Sequence, residues 1–357
     1  MQTNATTDIK ALFFSPIRDN RQIMALVFVS FLLIFVPQQQ PNDWDLNTRG
    51  FWSDIPNTYL DMNRVYPPWG LILMIPYYLM RAEGARVCSG LVIGLLAARR
   101  GWSLSKFFAV ISSPYFMWTL IKSNMDILVL VLPIVLWELA VGERWQGIGW
   151  GLALSLSLLK PQGAIFIWLY WIWTSRKRLK ELVVPFSIVA CIVVPISLVG
   201  SPPLIIQWLN NVEHPSLRNE MWWAVNNVSL TTRFSFAGAV SILLILVLVF
   251  VLLAKLRKIT WTRDHSLSGL LFASMFLSLY TSQQSVSSAL AFVPSWAAVG
   301  VQFLNLGVGA YAPRYVQDIP VDVLALAFVS LIMFVPMGNT KERRSYEDQP
   351  RRESSTG

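Results

Sequence analysis

Long runs of apolar residues constrain this chain more than any other feature. The clearest run, residues 234 to 254, reads FSFAGAVSILLILVLVFVLLA. About 20 apolar residues in a helix cross the roughly 30 Å hydrocarbon layer of a bilayer, and a helix pairs all of its backbone polar groups internally. Hydrophobic residues make up 54% of the chain and charged residues only 14%. The sequence therefore predicts an all-α, polytopic integral membrane protein.

Basic clusters give the expected orientation of this protein. Lys and Arg number 29 against 20 for Asp and Glu, and cytoplasmic loops of membrane proteins are enriched in Lys and Arg. The clusters lie at 10–21, 99–106, 176–180 and 255–263. An even number of crossings between them puts all four in the cytoplasm together with the N-terminus. This reading makes the surplus charge a topology signal and predicts no nucleic-acid partner.

The same reasoning predicts about 11 transmembrane helices. We expect them at 22–37, 85–99, 106–122, 127–141, 146–159, 162–174, 182–199, 234–254, twice within 266–304 with a cut at 281–285, and at 319–336. Segment 66–80 contains Pro67, Pro68 and Pro76, which cannot donate to a helix backbone and tend to start or break a helix. We therefore expect this segment to be re-entrant or to lie along the outer surface. The sequence leaves open whether this segment crosses and on which side the tail lies.

Four aspartates are concentrated in the first outer loop, residues 38–84. They are Asp43, Asp45, Asp54 and Asp61. Asp43 and Asp45 follow the first helix directly, where a carboxylate close to the membrane plane can act as a general base on a hydroxyl acceptor. The alternative is a solvated acidic loop without a catalytic role.

Two further ionisable residues, Asp126 and Lys160, lie at the predicted outer ends of helices. Ionisable groups at membrane depth are costly and commonly functional. An ammonium at this position can bind a phosphate as a point charge. The alternative is that Lys160 reaches the interface or forms an ion pair with Asp126.

Several site classes are not indicated by the sequence. Two Cys and two His suggest neither a disulfide framework nor a histidine-based metal site. No Gly-rich phosphate loop is present in the sequence. We therefore expect no cofactor, although a divalent cation remains an open alternative.

The order of several short motifs resembles a known family. The matching stretches are DWDLNTRGFW (43–52), VYPPWGLILMIPYYL (65–79), SNMDILVLVLPIVLWELA (123–140), GIGWGLALSLSLLKPQGAIFIWLY (147–170) and NNVSLTTRF (226–234). Their order is similar to that of the GT-C glycosyltransferases, and among them to glycosyltransferase family 87, the polyprenol-phosphate-mannose-dependent mannosyltransferases. The resemblance covers residues 22 to 235. It implies a GT-C-like fold with a long first outer loop.

The resemblance also implies roles for individual residues. Asp45 would be the general base, with Asp43 as the alternate. Candidates for binding the donor phosphate are Lys160, Arg64, Arg218 and Arg233, and the substrate pocket would include Tyr66, Pro67, Pro68, Asn124, Asp126, Asn226 and Asn227. The chain departs from the family pattern at 279–294, which contains no ionisable residue.

These features together predict a membrane glycosyltransferase. It would move a hexose, with mannose as the expected sugar, from a polyprenyl-phosphate donor to a lipid or glycan acceptor at the outer face of a bacterial plasma membrane. Residues 1–235 would form the catalytic module, 236–338 the C-terminal helices and 339–357 a polar tail. The alternatives are a transporter or flippase for lipid-linked sugars, and a non-catalytic membrane scaffold.

Overall fold

The computed structural model describes residues 13–38, 66–213, 236–256, 262–278, 285–296, 298–300 and 302–303. In these residues the structure is helical, and the one β-type contact is an isolated bridge between Pro16 and Ser103. The all-α prediction is confirmed for this part of the chain. The proposed boundary at residue 235 and the tail lie outside the described residues and stay predictions.

The α-helices are numbered in chain order. They are α1 (Asn20–Leu32), α2 (Gly70–Leu73), α3 (Ile75–Arg99), α4 (Leu104–Ile111), α5 (Pro114–Ile121), α6 (Leu132–Ala140), α7 (Gln146–Ser157), α8 (Pro161–Thr174), α9 (Val183–Ser197), α10 (Leu204–Glu213), α11 (Phe236–Leu256), α12 (Arg263–Leu277) and α13 (Val286–Leu290). A π-helical turn, Ile127–Val131, leads into α6, and a 3-10 helix, Arg176–Leu182, leads into α9.

One helical segment in the described part of the chain is long and apolar enough to cross a membrane. It is Arg176–Ser197, with 22 residues, a mean hydropathy of 2.1 and only 11% of its apolar window buried. Helices α4 and α5 qualify together as a second span only when their 57° bend is ignored. The described residues are thus compatible with a membrane protein, and the number of about 11 crossings stays a prediction.

The helix predicted at roughly 85–99 is present as the second part of α3, which begins earlier, at Ile75, and ends at Arg99. Pro76 lies in its first turn, where the missing N–H is not needed. The helix is interrupted at Arg81, whose φ of 56° is not helical. Tyr66 and Met74 are buried, whereas Tyr78 and Leu79 are exposed, so one face of segment 66–80 packs against the protein. Its expected position, re-entrant or along the outer membrane surface, stays a prediction.

The expected helix at 106–122 is in fact two helices. Ser113 begins α5, its side chain accepting a hydrogen bond from the Phe116 N–H, and Pro114 occupies the first turn. A proline cannot donate to the preceding turn, whereas a serine before it is a favourable helix start. This Ser-Pro pair therefore ends α4 and begins α5 in a new direction.

Three stacked indoles join the central helices. Trp137 of α6 lies between Trp150 of α7 and Trp171 of α8, with ring centroids 4.2 and 4.3 Å apart and nearly parallel planes. The Trp150 indole also donates a hydrogen bond to the Trp137 carbonyl. Because large buried aromatic side chains contribute strongly to packing, this stack fixes the relative positions of α6, α7 and α8.

Close contact between α1 and α3 depends on a glycine. A Cβ atom at Gly90 would lie 2.6 Å from the Leu33 Cδ1 and 3.1 Å from the Ser30 Cα. A Cβ at Gly94, one turn further on, would meet nothing nearer than the Leu26 Cβ at 3.7 Å. Small residues are what allow helix backbones in membranes to approach closely.

We expect Gly90→Ala to lower the free energy of unfolding by about 1–3 kcal/mol, because an added methyl group overpacks this contact. Gly94→Ala is the matched control and should be neutral or slightly stabilising, since alanine favours helices over glycine. Thermal melts of the purified protein in detergent measure both. Equal destabilisation by the two substitutions would contradict the close approach at Gly90.

Candidate functional site

A buried ion pair connects the starts of two helical segments. Lys160 directly precedes α8, and Asp126 directly precedes the π-helical turn. The Lys160 Nζ lies 2.5 Å from the Asp126 Oδ1 and 2.9 Å from the Ser285 Oγ. Lys160 is 6% exposed, and Asp126 and Ser285 are fully buried. The pair is therefore sealed inside the helix bundle.

Local structure holds the carboxylate in this position. The Asn124 side-chain oxygen accepts a hydrogen bond from the Asp126 N–H at 2.9 Å. This is the local side-chain-to-backbone bond by which Asn stabilises a turn. The second carboxylate oxygen of Asp126 is buried and has no hydrogen-bond partner among the described residues. The site thus retains an unused acceptor beside the ammonium of Lys160.

The Tyr-Pro-Pro segment lies near this pair. The Trp69 indole donates a hydrogen bond to the Leu158 carbonyl, two residues before Lys160. On the other side, the Tyr77 hydroxyl donates to the Leu128 carbonyl, two residues after Asp126. Tyr66, Pro67 and Pro68 are all buried beside this segment. The structure therefore brings the described members of the predicted pocket to one end of the bundle.

The other predicted site residues lie outside the described residues. They are Asp43, Asp45, Arg64, Arg218, Arg233, Asn226 and Asn227. Their roles in catalysis, phosphate binding and the substrate pocket stay predictions. The predictions of no required cofactor and of an optional divalent cation are likewise untested.

The Lys160 ammonium is already engaged by protein groups. Two of its three donors are used by Asp126 and Ser285. This is the ion-pair alternative that the sequence left open. The third donor is not assigned to a protein group, but the Asp126 carboxylate neutralises the ammonium, so a phosphate gains the full attraction of Lys160 only by displacing that carboxylate. Phosphate binding by Lys160 is therefore a proposal that requires local rearrangement.

A second charge cluster lies at the far end of α6. The buried Glu138 accepts a hydrogen bond from Arg100 at 2.8 Å and is 3.3 Å from Arg263. Arg100 also binds Asp264 at 2.9 Å. Twelve residues of helix separate Glu138 from Asp126, or about 18 Å along the axis. The two basic clusters that contain Arg100 and Arg263 thus meet at one end of the bundle, opposite Lys160.

Burial raises the pKa of the Asp264 carboxyl above its ordinary value, and the negative charge of Glu138 adds to the rise. The nearby Arg100 guanidinium opposes this change by attraction and by a direct hydrogen bond. The cluster therefore holds two carboxylates near one another mainly through Arg100.

Sequence reasoning missed Ser285 and Glu138. Ser285 ends the predicted cut at 281–285 and lies in the stretch 279–294, which lacks ionisable residues. No local pattern distinguishes it as a partner for Lys160. Glu138 occurs within the apolar sequence LPIVLWELA. An acidic residue within an apolar helix could have been identified from the sequence, because a buried charge requires a partner.

No family model, curated protein or solved structure matches this chain. The similarity to glycosyltransferase family 87 thus rests on the motifs of the sequence alone. It enters the functional argument as a hypothesis.

Proposed function

We propose that this protein is a membrane glycosyltransferase that moves a hexose, with mannose as the expected sugar, from a polyprenyl-phosphate donor to a lipid or glycan acceptor. The observation that carries the proposal is the grouping of Lys160, Asp126 and the Tyr66–Trp69 segment at one end of the bundle. All of these residues lie in the motifs that resemble the family. Their grouping supports one site, since the motifs are distant in sequence.

The proposed reaction is a single displacement with inversion. Asp45, or Asp43 as the alternate, removes the proton from an acceptor hydroxyl. The hydroxyl oxygen forms a bond to the anomeric carbon of the sugar while the bond from that carbon to the phosphate oxygen breaks. Polyprenyl phosphate leaves with the electron pair of that bond. The chemistry is placed at the outer face of the membrane, where a lipid carrier can supply the sugar.

Lys160 has a specific role in this proposal. Its ammonium, once the Asp126 carboxylate is displaced, would balance the negative charge that grows on the departing phosphate. A buried ammonium interacts more strongly with a phosphate than an exposed one, because less water screens it. Arg64, Arg218 and Arg233 are the proposed arginine contacts to the same phosphate, and a guanidinium can bind it bidentately.

A transporter or flippase for a lipid-linked sugar is the second candidate. The observation that favours it is the combination of a buried ion pair with interrupted helices, namely the 57° bend between α4 and α5 and the π-helical turn after Asp126. Broken helices around buried polar groups are typical of secondary transporters. The two candidates differ in whether a glycosidic bond forms.

The test uses purified full-length protein with polyprenyl-phosphate mannose or glucose and a membrane-extract acceptor. Wild type should form a labelled product, and Asp45→Asn should lower the rate by about a hundredfold or more, because a general base contributes about 10²–10⁴-fold. Asp54→Asn is the matched control in the same loop and should retain activity.

Two outcomes would change the assignment. Activity that survives in Asp45→Asn but is lost in Asp43→Asn would make Asp43 the base. Movement of the lipid-linked sugar across vesicle membranes by wild type, with no glycosidic product, would favour the transporter.

A further inference from the structure

An open apolar groove runs along the start of α9. Its volume is about 470 Å³, and it is lined by Ile172, Leu179, Leu182, Val183, Phe186, Ser187 and Ala190. Leu182 is buried, whereas Val183 is 61% and Phe186 45% exposed. The groove is therefore an accessible apolar surface with a packed floor.

The opposite face of α9 is already occupied. Val184 packs where Gly147 lacks a side chain, at 3.0 Å from an added Cβ, and Ile188 packs at Gly151 in the same way, at 2.6 Å. Gly147 and Gly151 are four residues apart on α7, the spacing that brings helices close in membranes. Because α7 takes one face of α9, the groove lies on the face that α7 leaves open.

One end of the groove carries a cluster of basic residues. The 3-10 helix Arg176–Leu182 contains four of them and one acid, Glu181. Two basic side chains have partners within the protein. Arg176 lies over the Trp173 ring at 4.1 Å, and Arg178 pairs with Glu181 at 3.3 Å. Lys177 and Lys180 are exposed, so their ammonium groups can reach an external anion.

We propose that this groove binds an anionic phospholipid. An acyl chain would lie along Val183, Phe186 and Ala190, and the phosphate headgroup would contact Lys177 and Lys180. The apolar groove ends at a basic cluster, which suits a lipid with an apolar chain and an anionic headgroup. Basic pockets between membrane helices bind such headgroups. The groove also lies on the helical segment of the described chain that is apolar enough to span a membrane on its own.

The position of the groove separates it from the candidate catalytic site. Lys160 precedes α8 and Arg176 follows it, so 16 residues of mostly helical chain, or about 24 Å, lie between them. A headgroup bound at Lys177 and Lys180 is too far away to present a sugar phosphate to Lys160. We therefore assign the groove to a bulk anionic phospholipid and not to the polyprenyl-phosphate donor.

The test measures lipid retention by native mass spectrometry of the full-length protein in detergent. The probes are dioleoylphosphatidylglycerol, dioleoylphosphatidylcholine and undecaprenyl phosphate, each supplied alone. We expect wild type to retain phosphatidylglycerol in preference to phosphatidylcholine. Undecaprenyl phosphate can bind at the proposed donor site as well, so its retention is compared between wild type and the Lys177→Gln/Lys180→Gln variant and should not change. The double variant Lys177→Gln/Lys180→Gln should lose about thirtyfold in retention, which corresponds to about fivefold for each basic residue near an anionic head.

Matched variants distinguish this site from general charge or hydrophobicity. Lys255→Gln removes an exposed lysine from the last turn of α11 and should leave retention unchanged. Ala190→Trp fills the groove and should lower retention, whereas Val194→Trp, on an exposed position of α9 outside the groove, should not. Equal retention of phosphatidylcholine, a loss of undecaprenyl phosphate in Lys177→Gln/Lys180→Gln as large as the loss of phosphatidylglycerol, or an equal loss in the matched controls would each overturn the proposal.

Discussion

Replacing Lys160 with methionine should lower the free energy of unfolding by about 3–5 kcal/mol, because it leaves a buried carboxylate without its cation. Asp126 is fully buried, and one of its two oxygens already lacks a hydrogen-bond partner among the described residues. The remaining neighbours, Ser285 and Asn124, carry no charge. Thermal or urea unfolding of the purified protein in detergent measures the loss.

The double variant Lys160→Met/Asp126→Asn separates the charge effect from simple loss of packing. With both charges removed, most of the lost stability should return, since a neutral pair avoids the cost of burying an unpaired ion. Arg178→Met is the control. Arg178 forms an ion pair with Glu181, and their side chains are 50% and 37% exposed, respectively. Exposed ion pairs contribute about 0–1 kcal/mol to the free energy of unfolding. A loss below about 1 kcal/mol in Lys160→Met would contradict a buried, paired ammonium.

Arg100→Met should cause a second large loss of stability, also about 3–5 kcal/mol at neutral pH. Arg100 is the cation that binds both Glu138 and Asp264. Without it, Glu138 keeps Arg263, a half-exposed partner at 3.3 Å, and the two carboxylates repel one another. Arg99→Met is the matched control, because its side chain is exposed and donates to the Glu138 backbone carbonyl.

The loss in Arg100→Met should depend on pH in a defined direction. Burial already raises the pKa of Asp264, and Arg100 lowers it more than Arg263 does, so the variant raises that pKa further. At pH values above the ordinary Asp pKa, the Asp264 carboxyl then binds more protons in the folded protein than in the unfolded chain. Its stability therefore falls as pH rises through this range.

The expected fall in stability with rising pH defines the measurement. Melts at about pH 4.5 should show a smaller difference between Arg100→Met and wild type than melts at about pH 7.5. Arg99→Met should show no such change. A deficit that grows toward acid pH would mean that the carboxylates of Glu138 and Asp264 do not govern this end of the bundle.

Most of the helices could be predicted from the sequence. The apolar runs that became α7, α8, α9, α11 and α12 were bounded by charged or polar residues, and helix formation in such runs depends on local hydrogen bonds and composition. Errors fell where proline decided the local geometry. Pro76 was expected to start or break a helix, and it occupies the first turn of α3. The Ser113–Pro114 pair was overlooked as a helix boundary.

The candidate site was predicted in part. Asp126 and Lys160 were identified because ionisable groups in apolar sequence are costly and need partners. Their pairing was one alternative among several, since 34 residues separate them and only packing decides which partner lies within reach. Ser285 was not predicted, because a serine in a serine-rich stretch carries no signal of its own.

The sequence by itself determined that the described part of the chain is helical and where its charges lie along the helices, because apolar composition and charge are local properties of the chain. The tertiary structure alone decided that Lys160 is bound by Asp126 and Ser285. It also decided that Arg100 joins Glu138 to Asp264, and that one face of α9 remains open as a groove. Those contacts join residues far apart in sequence, and the packing of whole helices determines them.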